Sequence, residues 1–283
     1  MNEQLSSEEA IPQHFSEIIH LPEERIDLSQ AALLVAKEQY PDLDIPHYLA
    51  KLDELGERAL TRVGRVVGPR QIVEGLSHYL FHEEGFHGNV EDYYSPTNSF
   101  LNDVLDHRAG IPITLSLITI EIGRRAGLPF YGVGFPGHFM VKYSQDNEEV
   151  ILDPFHKGQI ISENECAERL KRTFGSRLPF HKKLLRASTK KEILTRMLTN
   201  LKMIYLSRKN CEMALRMTNH IVSLNPNSTQ EIKERGILYH QLDCVQQAIE
   251  DFKTYLVQEP QAVDREAIEQ YIRELSKNIP SLH

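Results

Sequence analysis

The chain has 283 residues, enough for about two domains, and its 41% apolar and 25% charged content is that of an ordinary folded protein, which excludes disorder as the dominant state. Thirty-two Lys and Arg against forty Asp and Glu leave a formal charge of −8, and the densest basic runs are the pairs Arg124-Arg125, Lys171-Arg172, Lys182-Lys183 and Lys190-Lys191, so nucleic acid is not the expected partner. Cys166, Cys211 and Cys244 are far apart and form no C-x-x-C, Met1-Asn2-Glu3-Gln4 does not open a signal peptide, and no run of about 18 apolar residues occurs; a soluble, cytoplasmic protein with no membrane partner is expected.

From Ile11 to about Leu80 the spacing predicts several short helices, with apolar clusters at Leu33, Leu34 and Ala36 and at Leu49, Leu52, Leu55, Ala59 and Leu60, punctuated by Pro22, Pro41, Pro46 and Pro69. We take residues 1–80 as an N-terminal helical segment packed on the next domain. Residues 81–185 differ in character, because small and polar residues crowd at Gly88, Asn89, Tyr93 to Ser99 and Asn102. Asn98 or Ser99 is expected to cap a helix through Val104, with Gly110 closing it and Pro112 opening the next. That next helix, from Ile113 to Ala126, is apolar nearly all round, which predicts a central, buried position, and Gly127-Leu128-Pro129 stops it.

Two strand-like runs follow, 137–143 and 148–153, with Ser144 to Asn147 between them. A four-residue loop sets Lys142 opposite Glu149, Val141 opposite Val150 and His138 opposite Asp153. The last stretch, 190–283, repeats at 34 residues: Tyr205 with Tyr239, Ala214 with Ala248, Pro226 with Pro260. This resembles the tetratricopeptide repeat, with copies at 195–228 and 229–262 and a capping helix over 262–278. Two copies are few for independent stability, so the module should pack against the middle domain.

His138 beside Asp153 is the sharpest pair, since a carboxylate fixes an imidazole's tautomer and raises its basicity; it suits either a base with its orienter or a tie between strands. The other constellations are weaker. His78, His82 and His87 miss the zinc-helix spacing by one residue, and the bland reading of a solvated or core-edge role is preferred; no metal and no cofactor is called for. Gly132, Gly134 and Gly137 lack a phosphate-loop context and suit close strand approach near His138. Tyr93, Tyr94, Asn98, Phe100 and Asn102 could line a groove or merely hold their loop.

The Gly127-Leu128-Pro129 stop, the His138 strand and the Leu152-Asp153-Pro154 strand resemble the transglutaminase-like superfamily, of papain-type fold. The resemblance implies a nucleophilic Cys at the start of the central helix, with His138 as base and Asp153 as orienter. Counting back places the nucleophile at or beside Pro112, where there is no cysteine. Thr114 and Ser116 are the nearest hydroxyls, but Thr114 lies about 200° around the helix from the nucleophile position. More closely, Tyr93 to Pro96, Asn98 to Leu105, Gly110 to Ser116, Gly134 to Phe139 and Leu152 to Phe155, followed by the repeats, resemble the SirB-type bacterial family, whose members are described as regulators of the expression of a virulence-gene regulator.

The expected fold class is therefore α+β: a papain/transglutaminase-like domain with N-terminal helices, then an all-α repeat module. The expected function is a non-catalytic regulatory or interaction protein that takes a protein or peptide through its repeats, with Tyr93, Tyr94, Asn98, Asn102, Pro112 and Thr114 as a possible groove. The alternative is an amide or ester hydrolase or acyl transferase that uses His138 and Asp153 with a non-cysteine nucleophile; DNA binding is the least favoured class.

Overall fold

The computed structural model describes residues 14–64, 66 and 68–277, so the leader reading at Met1 to Gln4, the start of the helical stretch at Ile11 and the end of the capping helix at Asn278 lie outside the described residues. Four helices come first: α1 (Phe15–Ile19), α2 (Leu28–Ala36), α3 (Ile45–Val63) and α4 (Pro69–His78). Asp27 caps α2 by accepting from Gln30 N, and Asp44 caps α3 by accepting from His47 N, each satisfying an otherwise unpaired first-turn donor. Not all of these helices are short. Pro46 sits in the first turn of α3, where its missing N–H costs nothing, and the one internal glycine, Gly56, is buried where the Arg125 side chain passes too close for a Cβ, so α3 runs for 19 residues to Gly64. Leu52, Leu55 and Ala59 form its buried stripe, while Leu60 is exposed. The backbone after α4 continues into one wider π-helical turn, Tyr79–Glu83.

Two short strands, β1 (His87–Gly88) and β2 (Ala109–Gly110), pair in parallel around α5 (Leu101–His107). The expected cap of α5 is corrected here. Phe100 is the cap residue and offers no side-chain bond, because the Asn98 amide is already spent on Asp92 O, Tyr93 O and Asn89. Nor does Gly110 close α5: Arg108 does so in the left-handed conformation, φ 61°, and Gly110 enters β2.

Helix α6 (Pro112–Arg125) is the centre of the fold, with every residue from Pro112 to Gly123 buried, and it packs against α3, β3 (Phe130–Val133) and β4 (Met140–Gln145). The sheet has the antiparallel order β3-β4-β5-β6, with β5 (Glu148–Asp153) and β6 (Gln159–Ile161). Its hairpin register differs from the expected one. Val141 faces Leu152, Tyr143 faces Val150 and Gln145 faces Glu148, a slip of two residues. The cause is the turn: only Asp146 and Asn147 are in it, at φ 52° and 65°, the two-residue geometry that matches strand twist. A slip of two preserves the face of every side chain, so Lys142 Nζ still reaches Glu149 Oε1, at 2.6 Å.

Helix α7 (Glu163–Phe174) starts from a reciprocal cap between Ser162 and Glu165. The repeats follow as α8 (Lys190–Ser207), α9 (Cys211–Leu224), α10 (Thr229–Gln241), α11 (Val245–Gln258) and α12 (Arg265–Lys277). Ala214 and Ala248, the small residues of the 34-residue period, are fully buried in α9 and α11. The first helix pair is not separate from the domain before it: Ile193, Leu194, Met197, Leu198, Leu201, Ala214 and Met217 belong to the same apolar core as α2, α3 and α6. Val222, Ile232, Tyr255 and Leu256, and likewise Ala248, Ile249, Phe252 and Leu275, form smaller clusters of their own.

Candidate functional site

His138 does not lie on β4; it ends the turn that feeds it. Pro136 and Gly137 occupy the middle of that turn, His138 N donates to Phe135 O at 3.0 Å, and Gly137 has φ 73°. Proline before a positive-φ glycine is the type II pattern, so the residue types dictate where the imidazole emerges. Its expected place directly opposite Asp153 is therefore corrected. The two meet all the same: His138 Nε2 is 2.9 Å from Asp153 Oδ2, an ion-pair distance outside aligned hydrogen-bond geometry.

Asp153 ends β5 and caps the 3₁₀ turn Pro154–His156, with Oδ1 accepting from Phe155 N and His156 N. Its other oxygen takes three contacts: His138 Nε2, His156 Nδ1 at 2.7 Å and Arg169 Nη1 from α7 at 2.5 Å. The carboxylate is wholly shut off from solvent. Burial pushes its pKa up, but the contacts with His138 and Arg169 and the charge of His156 outweigh burial and hold it well below the usual carboxylate range. Sequence reasoning singles out two members of this cluster and misses His156 and Arg169. His156 sits three residues after Asp153, a spacing that a turn can close; no local signal announces Arg169, which arrives from another element.

Together with Phe135, Pro136, Gly137, Arg172 and Thr173, the residues His138, His156 and Arg169 line a cavity of about 310 Å³. Phe155 joins it to the polar loop, packing edge-on against His138 and Tyr93 with centroid separations of 6.4 and 5.8 Å. Tyr93 and Tyr94 are exposed, whereas Asn98, Asn102, Pro112 and Thr114 are buried. Asn98 O accepts from Thr114 Oγ1 at 2.7 Å, and Thr114 Oγ1 accepts in turn from Ile111 N, so that hydroxyl is spent on fixing the start of α6. Asn102 Nδ2 donates to Asp103 Oδ1. Ser116 Oγ is buried and has no hydrogen-bond partner among the described residues.

Pro112 is the first residue of α6, and no thiol stands there. Cys166 is buried in α7, where desolvation pushes its pKa up to about 11, the behaviour of an inert core thiol. Cys211 and Cys244 lie in the repeats and bond to Gln241 Oε1 and Leu242 O. His78 and His82 stack on each other near the surface, while His87 Nδ1 contacts Gly85 O. Among the described residues, His138, Asp153 and His156 form a group whose ligand atoms all lie within 4.8 Å of one another. The Arg169 guanidinium already occupies the oxygen that a cation would need, so the donor set suits a fixed organic cation better than a metal.

Comparison with known proteins matches residues 46–199 to the transglutaminase-like superfamily and residues 201–273 to the tetratricopeptide repeat. A UPF0162 protein of Xylella fastidiosa (strain Temecula1 / ATCC 700964) is 33% identical over 264 residues, covering 92% of this chain and 94% of the relative. The chain belongs to the UPF0162 family. Other members are similar over most of their length: one from Vibrio cholerae is 27% identical over 89% of this chain and 93% of its own, and the UPF0162 protein YchA of Escherichia coli K12 is 25% identical over 87% and 89%. No solved structure matches. The expected order, a transglutaminase-like domain followed by repeats as in the SirB-type family, is therefore the order of this UPF0162 protein. No helix among the described residues is long and apolar enough to cross a membrane.

Proposed function

We propose that this UPF0162 protein is a non-catalytic transglutaminase-like domain fused to repeats that dock a protein or peptide, a regulatory adaptor acting in the cytoplasm. The observation that carries this reading is Pro112 as the first residue of α6, where the resemblance calls for a thiol nucleophile. The nearest hydroxyls do not replace it, because Thr114 is committed to Asn98 O and Ser116 is sealed in the core. On this reading His138 and Asp153 are a retained pair that serves the turn and the pocket. The docking surface is the groove of about 440 Å³ where α8 meets the strand region, lined by Gly134, Phe139, Ser188, Arg196 and Thr199 among others.

Deleting the repeats is a poor test, since α8 and α9 complete the main core. The test is affinity capture with the full chain and with Arg196→Glu, using Lys253→Glu on the exposed side of α11 as control. A partner lost with the first and retained with the second is expected; equal recovery with both sinks this groove as the docking surface.

One arrangement favours the second reading, a hydrolase or acyl transferase. Asp153 contacts Nε2 of His138, and no hydrogen bond among the described residues engages Nδ1. Turnover of small amides or esters that disappears in His138→Ala would establish that reading and remove the non-catalytic one.

A further inference from the structure

Asp153 Oδ2 gathers three nitrogen-bearing side chains, each by one atom only. His138 is held through Nε2, His156 through Nδ1 and Arg169 through Nη1. None of the remaining nitrogens, Nδ1 of His138, Nε2 of His156 and Nε and Nη2 of Arg169, has a hydrogen bond among the described residues, and all three side chains line the same 310 Å³ cavity. A second guanidinium, Arg172, lies one turn along α7 from Arg169 on that wall, exposed and with no ion pair among the described residues. The carboxylate in contact with this set is buried behind it and turned to the three side chains, so the cavity shows nitrogen donors and hides the anion that orders them.

We propose that this cavity is a binding site for a phosphate monoester of a small molecule. The donors come from three separate elements, the turn before β4, the turn after β5 and helix α7, and line one cavity, so they are not the single flat fork of one guanidinium. A planar carboxylate is satisfied by a single guanidinium, whereas a tetrahedral oxyanion with three terminal oxygens uses donors from several directions. The volume accommodates the phosphoryl group and a short organic stem. Arg169 and the two imidazoles are already fixed by Asp153, so little side-chain freedom is lost when the anion arrives. Arg172 supplies the charge that Asp153 does not neutralise.

Phe135, Pro136 and Gly137 form the remaining wall, with Gly137 held at φ 73° in the turn that presents His138. The site is independent of the repeat groove, and its test does not involve a protein partner.

Isothermal titration of the full chain with phenyl phosphate, inorganic phosphate and acetate reads the proposal directly. Saturable binding of phenyl phosphate and of inorganic phosphate is expected, with acetate at least about tenfold weaker. Arg172→Ala, at an exposed position, should leave the fold intact and weaken phenyl phosphate about tenfold, the loss of one charge-assisted contact. Arg169→Lys should weaken it further, and Lys183→Ala, in the neighbouring groove, should not change it. Absence of saturable binding in the unaltered protein, binding unaffected by Arg172→Ala, or acetate as tight as phosphate would each overturn the assignment.

Discussion

Asp153 at the end of β5 and Glu121 within α6 are both carboxylates removed from solvent, and each holds more than one nitrogen-bearing side chain. Glu121 Oε2 accepts from Arg125 Nη1 at 2.6 Å and from Arg124 Nη2 at 2.9 Å. Arg125 then spends its other nitrogens on the frame, Nε on Asp53 of α3 and Nη2 on Ser29 of α2, while Arg124 approaches Asp27 through the same Nη2 that it gives to Glu121. The partners of Asp153 spend one nitrogen each and leave the rest at a cavity wall. Burying a charge demands compensation in both places, but only at Glu121 does a compensating group, Arg125, have every guanidinium nitrogen engaged by the fold. The C-terminal end of α6 is thus a clamp, and the Asp153 cluster is a display.

The comparison is sharpest under removal of the anion. Asp153→Ala should cost about 3–5 kcal/mol in a urea denaturation, because three donors are left crowded without their countercharge. A loss under about 1 kcal/mol would mean that water compensates them, and the contrast with Glu121 would collapse. The same carboxylate has a pH signature. Its pKa is depressed on folding, so its contribution is complete above the unfolded carboxylate pKa of about 4 and is lost as pH falls below that value. The stability gap between the unaltered protein and Asp153→Asn should therefore narrow as pH falls below about 4.

Arg125→Ala should cost about 2–3 kcal/mol, somewhat less than breaking a lone buried pair, since Arg124 stays on Glu121. Gly137→Ala should cost about 1–2 kcal/mol, because an added Cβ is strained at φ 73° even though the nearest atom, on Phe174, is an ordinary 3.5 Å away. In that variant the His138 ring signals in an NMR spectrum should shift while those of His220 stay in place. Arg172→Ala should move stability by less than about 0.5 kcal/mol, as fits a displayed cation that holds nothing together.

How much of this is legible in the sequence follows from how local each signal is. The 34-residue period reappears in the fold as α8 to α11, because a period is written in the chain itself. The encounter of His138 with Asp153 is legible because two neighbouring segments of the hairpin carry them, yet its register is not. Reading Ser144 and Gln145 as loop lengthens the turn by two residues, although Asp146-Asn147 alone is a recognised two-residue hairpin turn. The glycine at 137 suggests close strand approach, and that reading passes over the bend which Pro136-Gly137 makes to lift His138 off the strand. Arg169 is illegible for a different reason: its position on α7 is set by packing of Cys166 and Leu170 against the sheet, a tertiary event with no local trace. The merging of the first repeat with the domain core is of the same kind, since an amphipathic stripe does not say which surface will cover it.

That merging decides where the molecule would come apart. Ala214, Met217, Ile221 and Leu224 of α9 belong to the large core, while most of the apolar contacts of α10, α11 and α12 fall in two small clusters. The natural seam under mechanical load or gentle heating therefore runs inside the repeat array, after its first helix pair, and not at the boundary between the two family motifs. Amide exchange that opens α10 to α12 before α8 would be its trace, and a fusion or dissection that cuts at residue 190 would tear a wall out of the neighbouring domain.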